Sequence, residues 1–271
     1  MRVLKDSRNE SRLKFSTFAL KVIALVAMLA DHLQGSFPHT FPVVFGWFGR
    51  IAIPIFMFCV VQGLVHTRNT KKYLFRLYIG SVMMAAGSFV IQMCFSHTQT
   101  RIADNIFATF LLLAILITLT KAKMATSKKI VLWTCFWLIQ IFSFALSTWL
   151  EKISTSGAYL VNGLMPNILT CQGSVIFIVL GIFMYMFRNH RGRFTIFYTI
   201  YCAAILVMAG LGGFTLQHLF YQNYQWIMII ALPFILAYSG KRGKSLKQFF
   251  YTFYPLHIWF LFIVANLLAN R

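Results

Sequence analysis

The sequence predicts an all-α protein: a polytopic transmembrane helical bundle of about nine spans (range 8–10), with its N-terminus in the cytoplasm. Three observations carry that expectation. The 271 residues are 59% hydrophobic and 17% aromatic, with a mean hydropathy of +0.73, which an ordinary soluble domain does not reach. Apolar runs near twenty residues recur from end to end, the length that crosses a hydrocarbon core of about 30 Å. The alternating ten-residue segments of a transmembrane β-barrel are not seen. Finally, twenty of the 25 Lys and Arg fall in five clusters between apolar runs. These are Arg2 to Lys14, Arg68 to Arg76, Lys121 to Lys129, Arg188 to Arg193 and Lys241 to Lys247. The alternate loops carry almost none, the positive-inside pattern of cytoplasmic loops.

The net charge of +20 therefore answers anionic lipid headgroups rather than nucleic acid. The lipid bilayer is the expected partner, and the chain reads as a multi-pass cell-membrane protein. It forms a single transmembrane domain over 1–271, with 1–14 a basic cytoplasmic tail. A basic region followed by an apolar one resembles a signal peptide, but no small-residue cleavage site follows, so the first apolar run reads as a retained helix. Cys59, Cys94, Cys135, Cys171 and Cys202 stand singly in apolar runs; they predict no disulfide framework and no metal site.

Taken in order, the expected spans are 15–35, 44–66, 73–95, 104–120, 130–150, 171–187, 194–212, 224–240 and 248–268. The first ends on Asp31-His32, and the second opens with Gly46-Trp47-Phe48-Gly49-Arg50 and closes on His66-Thr67-Arg68. The third leaves the basic cluster and exits at neutral Ser96 to Thr100; the fourth enters at Asp104-Asn105. The long connection Glu151 to Thr170 holds Gly157, Gly163 and Pro166, expected to break any helix, with 158–170 open to a re-entrant reading. Gly210 to Gly213 interrupts the seventh span, leaving 211–222 as a short further segment. The last span carries His257 two residues after Pro255.

Charged groups inside membrane spans are costly and face a bundle interior or a watery cavity. Lys21 and His32 are eleven residues apart, about 16 Å along a helix. Asp31 and Arg50 fall at similar depth on neighbouring helices, and each can neutralise the other. For Asp31-His32 two readings stand: a helix end reaching the headgroups, or a buried general base with a carboxylate beside it. On a helix the adjacent residue points elsewhere, so Asp31 can orient Arg50 instead of His32. Arg50 itself is either the structural partner of Asp31 or a substrate contact, its five donors suiting a carbonyl, carboxylate or phosphate. His66 and Arg68, with Lys71, Lys72 and Arg76, read as a helix end or as a cytosolic phosphate site. Asp104-Asn105 reads as a helix N-cap, and His257 as a satisfied core imidazole or a site residue. His39, His97, His190 and His218 read as solvated. There is no GxSxG, Walker loop, HExxH or cofactor fingerprint, so any chemistry falls to scattered residues gathered by the bundle.

Several stretches resemble the TraX family. They are Leu20-Lys21 with Asp31-His32, Phe48 to Phe56, Gly63 with His66 to Asn69, and Lys72 to Leu77. Asn105-Ile106-Phe107, Tyr238 to Gly243 and Phe250 to His257 follow in the same order. TraX-like proteins are membrane enzymes that N-acetylate pilin in conjugation systems. The resemblance implies an acetyl-CoA-dependent N- or O-acyltransferase of the bacterial cytoplasmic membrane, with a peptide or surface-glycan acceptor. A looser likeness joins it to bacterial membrane acyltransferases that carry Arg, ten residues, then His in their first helix. Here Lys21 stands in the Arg place, keeping the charge without the guanidinium fork, and His32 in the His place.

On that footing Lys21, His66, Arg68, Lys72 and Arg76 are expected to hold acetyl-CoA, and His32, Asp31 and Arg50 to carry the catalysis. Asp104, Asn105 and His257 complete the acceptor side, with Arg50 or Asn105 stabilising the oxyanion. The rival class is a non-catalytic membrane assembly factor, or a proton-coupled transporter using the same charges as a network. No inverted repeat supports the transporter.

Overall fold

The structure, a computed structural model, describes residues 14–95, 102 and 104–269. The basic tail before Lys14, together with His97, Arg101 and Arg271, lies outside the described residues. Among the described residues eleven α-helices follow one another: α1 Thr17–Ser36, α2 Val44–Gly49, α3 Ala52–His66, α4 Thr70–Cys94, α5 Ile106–Lys121, α6 Thr126–Glu151, α7 Thr155–Leu164, α8 Ser174–Met186, α9 Arg191–Gly210, α10 Ala231–Leu236 and α11 Lys247–Ala269. A π-turn, His218–Gln222, and a 3-10 helix, Gln225–Ile230, lie between α9 and α10. Among the described residues the only extended pairing is a bridge between Phe15 and Tyr238.

Among the described residues six helices are long and apolar enough to cross a membrane: Thr17–Ser36, Val44–His66, Thr70–Cys94, Thr126–Glu151, Arg191–Gly210 and Gln248–Leu268. At the other three expected positions stand shorter apolar helices, Ile106–Lys121, Ser174–Met186 and Gln225–Leu236. Their shortness has local causes. The first starts only at its Asn105 cap. The second follows Gly173 at φ 73°, and the third passes from 3-10 to α geometry just before Pro233. α5 is buried from Ile106 to Ala114. A helix apolar on every side belongs to the interior of a bundle, and α5 packs there against α3, α4 and α8.

Helix caps and close approaches fix the frame. Ser16, Asn69 and Ser154 cap α1, α4 and α7 by accepting backbone N–H bonds, each worth about 1 kcal/mol. Gly46 and Gly49 lay α2 against its neighbours: a Cβ at Gly46 would meet Tyr224 Oη at 2.7 Å, and one at Gly49 would run into Asp31. Small residues at a contact let membrane helices approach closely.

The connection Glu151 to Thr170 corrects an expectation, because Gly157 and Gly163 sit inside α7 instead of breaking it. Gly163 is there for contact: a Cβ on it would come within 3.1 Å of the Ser81 carbonyl, and Ser81 Oγ donates to the Gly163 carbonyl at 2.8 Å. The loop that follows α7 is stapled to α6. Gln140 Nε2 donates to Pro166 O at 3.1 Å, Gln140 Oε1 accepts from Ile168 N at 2.9 Å, and Asn167 Nδ2 donates to Ser143 Oγ at 2.9 Å. The segment 211–222 contains the π-turn and no long helix.

Candidate functional site

A cavity of about 780 Å³ runs along one face of α1. Thr17, Lys21, Leu25, Met28 and His32 all line it, and their spacing of three or four residues is one helical stripe, so the cavity extends roughly 22 Å along α1. The opposite walls come from α3, α4, α5 and the start of α11.

The two ends differ chemically. At one end, which we call the mouth, stand His66 from the end of α3, Arg68 from the turn, and Lys72 and Arg76 from α4. Arg242 and Lys244 join them from the segment before α11. That segment is tied to the start of α1: Thr17 N donates to Lys241 O at 2.9 Å and Phe18 N to Arg242 O at 3.1 Å. Gly240 and Gly243 take φ of 74° and 70° there, a left-handed backbone that glycine adopts without strain. The middle is apolar, lined by Leu25, Met28, Ile53, Phe56, Phe107 and Phe110. At the deep end stand Asp31, His32, Gly49, Gln172 and Tyr254.

Two half-buried cations at this cavity, Lys21 and Arg76, have no carboxylate partner among the described residues. Lys21 lies over the Phe250 ring at 5.4 Å, and Arg76 lies over Tyr73 at 5.9 Å with its buried Nε bonded to nothing among the described residues. Cationic donors left in this state suit an anionic ligand.

Of the residues expected from sequence, Lys21, Asp31, His32, His66, Arg68, Lys72 and Arg76 line the one cavity. Arg50, Asp104, Asn105 and His257 stand behind its wall. Arg50 pairs with Asp31 through Nη2, donates to Gln225 Oε1 at 3.1 Å and to Gly46 O at 3.3 Å, and lies over Tyr224. All three of its nitrogens thus donate to protein. Asp104 accepts from Gln172 Nε2 at 2.7 Å, and Tyr254 Oη donates to Gln172 Oε1 at 3.4 Å, which ties Asp104 to the deep end through Gln172. Asn105 caps α5 and donates to Ser81 O at 3.0 Å.

The open question of what Asp31 orients has a clear outcome: it holds Arg50. His32 turns instead to His257, with Nδ1 2.7 Å from His257 Nε2. That pairing had no sequence signal, because 225 residues separate the two. Gln172 and Tyr254 were likewise missed, and Arg242 and Lys244 were visible only as part of a charge cluster. His218, expected to be solvated, is half-buried, with its ring nitrogens bonded to Gln222 and Asn223. Among the described residues no three His, Cys, Asp or Glu gather as metal ligands do. Burial pushes the thiol of Cys171, in the loop before α8, above its ordinary range.

The TraX protein family model matches residues 16–265. A relative from Dichelobacter nodosus named "Probable fimbrial assembly protein FimC, serogroup H1" is 27% identical, over 93% of this chain and 95% of that one. No solved structure matches the chain.

Proposed function

The chain belongs to the TraX family, and we propose that it is an integral-membrane acyltransferase of the bacterial cytoplasmic membrane. It moves an acetyl group from cytosolic acetyl-CoA to a pilin-like peptide amine or another envelope acceptor. The observation that carries this reading is the cavity: cationic at its mouth, apolar along its length and bearing His32 at its deep end.

Each zone matches a part of that donor. His66, Arg68, Lys72, Arg76, Arg242 and Lys244 hold the nucleotide phosphates by charge-assisted contacts. The apolar middle takes the pantetheine arm past Lys21, and the thioester arrives beside His32. His32 takes the proton from the acceptor as the acceptor attacks the thioester carbonyl; a positioned imidazole contributes about 10²–10⁴ to such a rate. The C–S bond breaks, and the thiolate leaves and is protonated in turn. Arg50 and Asn105 stand too far into the wall for the oxyanion role. Arg50 instead holds Asp31 at the wall.

A second reading rests on the name of the relative, a fimbrial assembly protein: a non-catalytic assembly factor whose polar residues are architecture. Acetyl transfer from labelled acetyl-CoA in inverted and right-side-out vesicles separates the two. Label on a membrane or surface acceptor, lost in His32→Ala, supports the enzyme; folded protein that transfers no label supports the assembly factor.

A further inference from the structure

We propose that His257 is a positioning residue that fixes His32 in its Nδ1–H tautomer and so leaves Nε2 as the basic atom at the cavity. The inference rests on the acyltransferase reading only for what the base does; the tautomer follows from hydrogen-bond parity.

His257 Nδ1 lies 2.7 Å from the Phe253 carbonyl oxygen. A carbonyl only accepts, so Nδ1 carries the proton of this ring. A neutral imidazole has a single N–H, which leaves His257 Nε2 as an acceptor. That Nε2 is 2.7 Å from His32 Nδ1, so His32 Nδ1 must be the donor. The one N–H of a neutral His32 is then used, and Nε2, on the far edge of the ring, keeps its lone pair.

The ring geometry agrees. The two imidazoles are within 14° of coplanar with centroids 4.9 Å apart, a separation made up of the N···N distance and one ring radius on either side. They therefore meet edge to edge, as a hydrogen bond requires, not face to face. His257 is itself held still: the Phe253 ring stacks on it at 4.9 Å, Tyr254 meets it edge-on at 5.9 Å, and it is only 8% exposed. Of the two histidines only His32 lines the cavity.

The chain of bonds ends on a backbone carbonyl, which accepts no proton at neutral pH. It is thus a fixed orienter and not a path for protons. In the transfer step the acceptor's N–H or O–H proton passes to His32 Nε2, and the new bond to the acetyl carbon forms. The C–S bond then breaks, and the same proton leaves Nε2 for the departing thiolate. The imidazolium that exists in between donates through Nδ1 to His257, whose lone pair points at it. The same logic governs a catalytic imidazole held by a carboxylate, where the wrong tautomer costs up to about 10⁴ in kcat.

The test is the nitrogen NMR spectrum of protein carrying ¹⁵N-histidine. The chain has seven histidines, and His32→Gln identifies the signals of His32. The expected result is a protonated-type Nδ1 and a lone-pair-type Nε2 for His32, reverting in His257→Ala to the Nε2–H form that free histidine prefers. Acetyl-transfer kinetics give the second readout. His257→Ala lowers kcat by about 10²-fold with KM for acetyl-CoA changed by less than about 2-fold, whereas His257→Gln, whose carbonyl can accept from Nδ1–H, recovers to within about 10-fold of wild type.

An Nε2–H tautomer in the wild type, or a His257→Ala protein with undiminished kcat, overturns the proposal. Should His257→Ala fail to fold, the wild-type spectrum decides alone. The two readings fail separately: an Nδ1–H His32 in a protein that transfers nothing removes the acyltransferase and keeps the orienter, while transfer by a protein with Nε2–H His32 does the reverse.

Discussion

Helices α1 and α6 have the same buried share, 22% of the most apolar window in each, yet they use their polar residues for opposite ends. α6 carries Gln140, Ser143 and Ser147 on one buried stripe, all neutral. Gln140 and Ser143 are matched to backbone and side chain of the segment 166–168. α1 carries Lys21, Asp31 and His32, all ionisable, and turns them to a cavity. Neutral polar groups in a membrane helix can be fully satisfied by protein and then act as staples. Ionisable ones carry a cost that structure alone does not repay, so their presence along an open cavity marks function. Hydropathy alone does not separate the two helices; what the polar atoms face does.

The comparison predicts opposite phenotypes. The largest effect is expected from His32→Ala, which lowers the transfer rate by about 10²–10⁴ while the thermal unfolding midpoint in detergent stays put. Gln140→Ala does the converse. It strips the Pro166 carbonyl and the Ile168 amide of their partners, and each buried group left unsatisfied costs about 1–3 kcal/mol. The unfolding midpoint falls, while transfer per folded molecule is unchanged. A Gln140→Ala protein as stable as wild type would break the contrast at the α6 side.

Much of this was legible in the sequence because charge stands out against apolar runs. Lys21, Asp31, His32, His66, Arg68, Lys72 and Arg76 were all found that way, and they line one cavity. What was hidden is partnership. Asp31 and His32 are neighbours in the chain, but successive helical residues point in different directions, so one meets Arg50 and the other meets His257. Nothing local in the sequence encodes a contact across 225 residues. Gly163 misled for a related reason: as a helix breaker it is a local signal, but its role is the close approach of α7 to α4. The basic run Lys241 to Lys247 was read as a topology marker, and only its backbone bonds to the start of α1 bring Arg242 and Lys244 to the mouth.

The smallest effect sharpens the same boundary. Lys71 belongs to the basic cluster but is exposed and does not line the cavity. Lys71→Ala is expected to leave KM for acetyl-CoA within about 2-fold of wild type, as an isolated surface charge should. A large rise in that KM would mean that the cluster acts as a whole and not through the residues at the mouth.

The central claim is that donor binding and chemistry sit at the two ends of one cavity. Steady-state acetyl transfer over a range of acetyl-CoA concentrations tests it most directly, comparing His32→Ala with the pair Arg68→Gln and Lys72→Gln. The account predicts a clean division: the mouth variant raises KM by about 10-fold with kcat nearly unchanged, and His32→Ala lowers kcat with KM nearly unchanged. If the mouth variant leaves KM alone, or if His32→Ala keeps its kcat, then the cavity along α1 is not the path of the acetyl donor.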